Sequence, residues 1–203
     1  MKIKPFNKAI LIVILILIID QVLKILIKTN MFIGEEYNVF GNWFIIHFTE
    51  NNGMAFGMEL GGSSGKLILS IFRIIAVFAI VWYLHSLAKK NSPMGLLICI
   101  SMILAGALGN IIDSAFYGLI FNDSYYQVAS LFPEGGGYAP FLQGKVVDMF
   151  YFPIIEGHFP SWFPFWADDH FIFFRPVFNI ADSAITIGVL MLIIFQKRYF
   201  KKK

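Results

Sequence analysis

Charge is scarce in this chain. Only 14% of its 203 residues are charged and 58% are hydrophobic, whereas about a quarter of an ordinary soluble domain is charged. That class is therefore excluded. Cysteine is nearly absent too: Cys99 stands alone in an apolar run, which rules out an intramolecular disulfide and a cysteine metal cluster. The formal net charge is only +3. The basic residues are spread over three separate places, so no nucleic-acid patch forms. Neither HExxH nor GxSxG occurs. The histidines, His47, His85, His158 and His170, are dispersed. His158 and His170 share one loop but read as surface residues rather than zinc ligands. GGSSGK (61–66) lacks the preceding strand that a phosphate-binding loop requires. No internal repeat appears, and no low-complexity tract beyond the terminal lysines.

What the chain does have is long apolar runs. Four segments, about 8–28, 67–88, 94–116 and 178–197, approach the ~20 residues that a bilayer crossing demands. The first begins MKIKPFNKAILIVILILII, a basic start and an apolar run like a secretory signal. No small-x-small cleavage site follows and the run continues to Ile27, so it reads as a retained span. Basic residues cluster at Lys2, Lys4 and Lys8, at Lys89 and Lys90, and at Lys197, Arg198 and Lys201 to Lys203. Under the positive-inside rule both termini and the short 88–93 turn lie in the cytoplasm, with 29–66 and 117–177 outside. The turn makes spans two and three a helical hairpin. Arg73, near the start of span two, is expected to snorkel outward.

The outer segments are expected to be ordered. NWFIIHF (42–48) predicts a strand, and TENNGMAFG after it carries turn residues. A small sheet on the bilayer surface follows. The second outer segment holds a loop, PEGGGYAP, and the aromatic runs FPSWFPFW and FIFFRPVF, suited to the headgroup layer. The expected fold is a mainly α membrane protein. It has four transmembrane helices, a small extracytoplasmic β-sheet and an outer interfacial segment, in one domain spanning 1–203.

The acids are the main functional signal. A charged side chain at the bilayer centre costs roughly 3 kcal/mol on insertion scales. At about 1.5 Å per residue, Asp20 lies about 18 Å above the inner boundary, Asp113 about 28 Å and Asp182 about 22 Å. Asp148, in the apolar stretch GKVVDMFYF, is expected to dip back toward the same layer. Four acids from four segments thus converge in the outer half of the membrane. Any one of them could serve only to hydrogen-bond a helix end or loop; Asp20 and Asp113 are the stronger candidates for that. Two aspartates facing each other at low dielectric share one proton. The ionised member can then take a proton from water while the other donates to a substrate carbonyl. This is aspartic-protease chemistry. It needs neither metal nor cofactor. Ser183 adjoins Asp182, points elsewhere on the helix and reads as packing or capping.

Five blocks in order, DQVLK (20–24), ENNGMAFG (50–57), AGALGNIIDS (105–114), VVDMF (146–150) and FNIADSAI (178–185), together with the four-span layout, resemble the lipoprotein signal peptidases, or signal peptidase II. The resemblance covers essentially the whole chain. It implies a monomeric aspartic endopeptidase of the bacterial inner membrane, with its site at the outer face and no cofactor. The implied partners are membrane lipid and prolipoproteins, cut just before a diacylglyceryl-modified cysteine; nucleic acid is not among them. The catalytic pair falls on Asp148 and Asp182. Supporting polar residues fall on Asp20, Asn51, Asn110, Asp113 and Asn179, and a substrate-holding loop on Gly53, Ala55 and Phe56. The sequence departs from the family pattern at Ser114, where an arginine is usual, which leaves open how Asp113 is charge-balanced. The outer segments around Asp148 are also longer than in many members.

A transporter or channel subunit that uses these acids as a proton or cation relay is the alternative. It predicts polar groups through the full depth and repeats with broken spans. The inner halves of these spans are apolar and no repeat occurs.

Overall fold

The computed structural model describes residues 4–53, 62–162, 164–165, 168–173 and 175–200, with the side chains of 62, 63, 156, 171 and 172 excepted. Helix α1 spans Pro5–Lys28. Proline suits the first helical turn because that N–H has no intrahelical partner anyway. Its polarity is inverted relative to a soluble helix. Leu11, Leu15, Ile18, Val22 and Leu26 face outward, while Asp20, Lys24 and Lys28 are buried one turn apart. Such a helix stabilises its charges inside the bundle and presents hydrocarbon to its surroundings.

Helix α2 (Gly62–Lys89) exposes Ile68, Phe72, Ile75, Phe78 and Trp82 in the same way. Helix α3 (Met94–Ile112) is apolar on all faces and is the central, buried helix. It continues through a π-helical turn, Asp113–Tyr117, into the short α4, Gly118–Ile120. After the sheet strands comes α5 (Ile180–Ile194), then α6 (Gln196–Tyr199). The hairpin turn lies where the sequence puts it, between Lys89 and Met94.

Three helical segments, Pro5–Lys28, Ser64–Lys89 and Met94–Ile120, are long and apolar enough to cross a membrane; α5, at 15 residues, is a shorter apolar helix. Small residues bring α3 and α5 together. A Cβ on Gly106 would collide with the Ala181 carbonyl oxygen, and one on Gly109 would lie 2.6 Å from Asp20 Oδ2 and 3.1 Å from Ala181 Cβ. Backbone approach of this kind is how apolar helices associate where burial alone gives no driving force. Contacts at the other end join Phe6 of α1 to His85 of α2, ring centroids 5.1 Å apart, and set Tyr199 of α6 against Gly95 of α3. Lys4, Lys8, Lys89, Lys90, Lys197 and Arg198, which stand at the helix termini there, therefore gather at that end.

Opposite lies an antiparallel sheet of order β1-β2-β3-β6, built from Glu36–Phe40, Phe44–Asn51, Val146–Tyr151 and Val177–Phe178. Strands β4 (Ile155–His158) and β5 (His170–Phe173) form a separate hairpin in which His158 and His170 face each other. The predicted strand in NWFIIHF is β2. The stretch around Asp148, expected to dip toward the bilayer surface, forms strand β3, between β2 and β6. Its first four residues are buried, as expected for a β-branched strand covered on both faces. Val147 and Met149 face a second core containing Met31, Phe48, Tyr117 and Phe121. Alternation then puts Val146 and Asp148 on the opposite face.

The close α3–α5 crossing yields a test. Gly109→Ala is expected to lower the thermal melting temperature in detergent, by an amount equivalent to about 1–3 kcal/mol. Unchanged melting would mean that the crossing is looser than described.

Candidate active site

The start of α5 organises the site. Asn179 is its N-cap, and the side-chain oxygen accepts from Asp182 N at 2.9 Å. The Asp182 carboxylate reaches back to Asn179 N at 3.4 Å, completing a capping box. A second unpaired N–H of this helix end, on Ala181, donates to Asp20 Oδ1 of α1 at 2.9 Å. Anions at a helix N-terminus also meet the positive end of its dipole.

The amide of Asn179 then links the carboxylates. Its Nδ2 donates to Asp148 Oδ1 at 2.7 Å and lies 3.2 Å from both Asn110 Oδ1 and the Val147 carbonyl. Asn110 of α3 donates from Nδ2 to Asp182 Oδ1 at 2.8 Å. Asn51, at the end of β2, donates to the other oxygen of Asp148. β2 pairs Thr49 with Asp148 and Asn51 with Val146, so all four share one sheet face. Gly53 closes the turn after β2. Its N–H donates to Asn51 Oδ1 at 2.5 Å, and its φ of +90° is one that favours glycine.

Asp20 and Asp113 are drawn together by a residue that the sequence reading did not single out. Lys24 Nζ lies 2.9 Å from Asp20 Oδ2, 2.8 Å from Asp113 Oδ2 and 3.0 Å from Asn110 Oδ1. Asp113 Oδ2 also accepts from Val147 N at 3.3 Å, and Asp113 Oδ1 from Gln21 Nε2 at 2.9 Å. Lys24 therefore supplies the counter-charge for Asp113. Ser114, where the family pattern has arginine, turns its hydroxyl onto the Asn110 carbonyl at 3.0 Å. Lys24 lies one turn from Asp20 inside an apolar run, and that spacing was the available signal. A second buried cation, Lys28, pairs with Glu50 and donates to Ser124 Oγ at 2.9 Å.

The π-turn has a role in this arrangement. It frees carbonyls at the end of α3, and the loop before β3 takes them: Gly144 N donates to Ser114 O at 2.8 Å and Ala139 N to Gly118 O at 3.0 Å. π-Turns inside helices often mark functional sites. Here one anchors the segment leading to Asp148.

A cleft of about 660 Å³ opens over these residues. Of the four acids, only Asp148 and Asp182 line it among the described residues; Asn51, Gly53 and Asn110 line it with them. Asp20, Asp113 and Asn179 sit behind as supports. Ala55 and Phe56 fall outside the described residues. Arg73 does not simply snorkel away from the bundle: it is half-buried, lines the cleft and donates to the Gly53 carbonyl. Arg175 also lines the cleft and was not foreseen. Among the described residues no group of three or more metal-ligating side chains occurs.

Burial, and then the charge of Asp182, push the Asp148 carboxyl up to about 8, against the opposing effect of the Asn51 and Asn179 amides. A membrane-type helical bundle with two aspartates in one cleft, bridged by asparagine and with one carboxyl protonated at neutral pH, has the donor set of an aspartic hydrolase. A family model described as signal peptidase (SPase) II matches residues 12–197. A lipoprotein signal peptidase of Porphyromonas gingivalis is 53% identical over 187 residues, covering 92% of this chain and 81% of the relative. That of Amoebophilus asiaticus is 42% identical, covering 92% and 76%. A bacterial membrane enzyme solved by the in meso method superposes with a TM-score of 0.60 at 30% identity, covering 97% of this chain and 95% of that one. The chain belongs to the signal peptidase II family, and it is a multi-pass membrane protein. Nothing in these relationships supports the transporter alternative.

Two predictions follow from the buried charges. Lys24→Met leaves two buried carboxylates without a cation and is expected to cost about 3–5 kcal/mol, read as a lower melting temperature in detergent. Adding Asp113→Asn should recover part of that loss; no loss in the single variant would show that the cation is dispensable. The second concerns pH. Asp148 has its pKa raised from 3.8 to about 8, so the folded state keeps a proton that the unfolded chain has lost. Stability from this group is full below about pH 4 and falls as pH rises through about 8. Melting scans of the protein and of Asp148→Asn across that window should diverge, with the wild type losing stability faster as pH rises.

Proposed function

We propose that this protein is an intramembrane aspartic endopeptidase that removes signal peptides from lipid-modified prolipoproteins, cutting just before the diacylglyceryl cysteine. The observation that carries this reading is the convergence of Asp148 and Asp182 on one cleft, joined through Asn179. The relatives named as lipoprotein signal peptidases supply the substrate class.

In this scheme a water molecule lies between the two carboxyl groups. Asp182, ionised, takes its proton as the water oxygen attacks the scissile carbonyl carbon. Asp148, protonated, gives its proton to the carbonyl oxygen, producing a neutral gem-diol. Collapse returns a proton from the gem-diol hydroxyl to Asp148, breaks the C–N bond and passes the proton held by Asp182 to the leaving amine. No covalent intermediate forms. Asn110 and Asn179 keep the Asp182 carboxylate oriented, and Asn51 does the same for Asp148. The Gly53 turn, with Ala55 and Phe56 beyond it, holds the substrate segment.

The site then lies at the outer face of a bacterial inner membrane, with both termini in the cytoplasm and the chain crossing four times as a monomer. Several observations support four crossings. α5 and α6 together run antiparallel along α3, from Ala181 beside Gly109 to Tyr199 beside Gly95. From Ile180 to Tyr199 the rise is about 30 Å, the thickness of the hydrocarbon core. Lys4, Lys8, Lys89, Lys90, Lys197 and Arg198 gather at the end opposite the cleft, which agrees with positive-inside orientation. Clustered rings at the sheet, Trp43, Phe44, Phe152 and Phe178 among them, suit the headgroup layer above the site.

The direct test uses purified protein in detergent with a diacylglyceryl-modified prolipoprotein, followed by the mass shift on cleavage. Wild type is expected to cleave, and Asp148→Asn and Asp182→Asn, checked for folding by thermal melt, to lose about 10²–10⁴-fold or more. Activity should fall as pH rises through about 8, because Asp148 then loses the proton it donates. Cleavage by either folded variant at the wild-type rate would mean that the pair is misassigned.

A further inference from the structure

Arg73 projects from α2, an element that contributes none of the residues expected at the site. It lines the cleft and donates to the Gly53 carbonyl. Gly53 N in turn donates to Asn51 Oδ1, and Asn51 Nδ2 donates to Asp148. One guanidinium thus stands at the start of a chain of hydrogen bonds that ends on a carboxylate of the pair. The approach is tight: a Cβ on Gly53 would lie 2.6 Å from Arg73 Nη1. Among the described residues no carboxylate lies within ion-pair distance of Arg73, so its charge is not consumed by a partner there. Arg73 and Asp182 line the same cleft.

The lysines near the pair are committed elsewhere. Lys24 of α1 is shared by Asp20 and Asp113. Lys28 is held by Glu50, the remaining acid lining the cleft. Lys66 of α2 donates to Asn52 and to the Gln143 carbonyl. Arg175, before β6, is exposed at the cleft mouth.

We propose that Arg73 is a positioning residue: it fastens the Asn51–Gly53 turn so that the Asn51 amide stays on Asp148, and it places a positive charge in the cleft that Asp182 also lines. A charge in a half-buried site is screened less than in water. Arginine suits both tasks, since its planar fork holds a carbonyl while the charge persists at every working pH. This inference rests on the peptidase reading above.

The test measures kcat, KM and melting temperature for wild type, Arg73→Gln, Arg73→Lys and Gly53→Ala, using the same diacylglyceryl-modified prolipoprotein in detergent. Arg73→Gln is expected to lower kcat about ten-fold or more. The loss should fall on kcat rather than on KM, because the arginine holds the Asn51 amide on Asp148 and is not asked to bind the substrate. Arg73→Lys should recover part of kcat but not all of it, because an ammonium keeps the charge without the fork. Gly53→Ala should lower kcat by displacing the guanidinium. A merely structural arginine would alter melting temperature and leave kcat of the folded enzyme in place. A folded Arg73→Gln with the wild-type kcat overturns the proposal. If Arg73→Gln does not fold, Arg73→Lys and Gly53→Ala decide: wild-type kcat in both overturns it, and reduced kcat with KM kept in a folded Arg73→Lys supports it. Absence of cleavage by the wild type would instead overturn the peptidase reading itself.

Discussion

The ammonium of Lys24 is out of reach of solvent and is shared by two carboxylates and an amide oxygen. The site is assembled around that contact. Asp20, held by Lys24, accepts the Ala181 N–H and so fixes the start of α5 against α1. Asp113, also held by Lys24, accepts the Val147 N–H and fixes β3 against the end of α3. Asn110, the third partner, donates to Asp182. Three elements are thereby set relative to α1, and two of them carry the cleft carboxylates. One cation between two acids leaves a net negative cluster, which the α5 helix dipole and the Gln21 amide help to offset.

Around this cluster the polar groups are fully used. Among the described residues every buried side-chain nitrogen and oxygen has a hydrogen-bond partner. Complete pairing is a severe requirement in a protein whose exterior is hydrocarbon-like, because an unpaired polar group there cannot turn to water. It accounts for the prevalence of asparagine. Asn51, Asn110 and Asn179 each donate to a carboxylate while their amide oxygens accept from a neighbour. An amide does this without adding charge. The carboxylates are therefore held in place while one face of each stays open to the cleft.

Much of this was legible beforehand. The long apolar runs, the basic residues that flank them and the hairpin turn at 88–93 follow from composition and spacing. The NWFIIHF strand follows from its aromatic and β-branched residues. The common depth of Asp20, Asp113 and Asp182 was accessible from helical rise, and Asp148 was placed with them only by its apolar stretch. Their division into cleft and support was not accessible, because it depends on which face of β3 carries Asp148 and on Lys24 lying between Asp20 and Asp113. The strand character of 146–151 was hidden for a related reason. A strand buried on both faces reads as an uninterrupted apolar run, and periodicity cannot separate it from a membrane-seeking segment.

Sequence by itself determined the environment of this protein and the need to gather its acids. Hydrophobic runs of bilayer length admit few folds, and acids in such runs must be gathered and paired because isolated charge in hydrocarbon is too costly. The tertiary structure alone decided the pairing. Arg73 looked like a surface anchor from its place near a span end, yet the turn after β2 brings the Gly53 carbonyl to it. Ser114 looked like a missing charge, yet Lys24 stands where the counter-ion is needed. Both outcomes depend on contacts between segments tens of residues apart, and side-chain reach over a few ångströms is set only when the helices have packed.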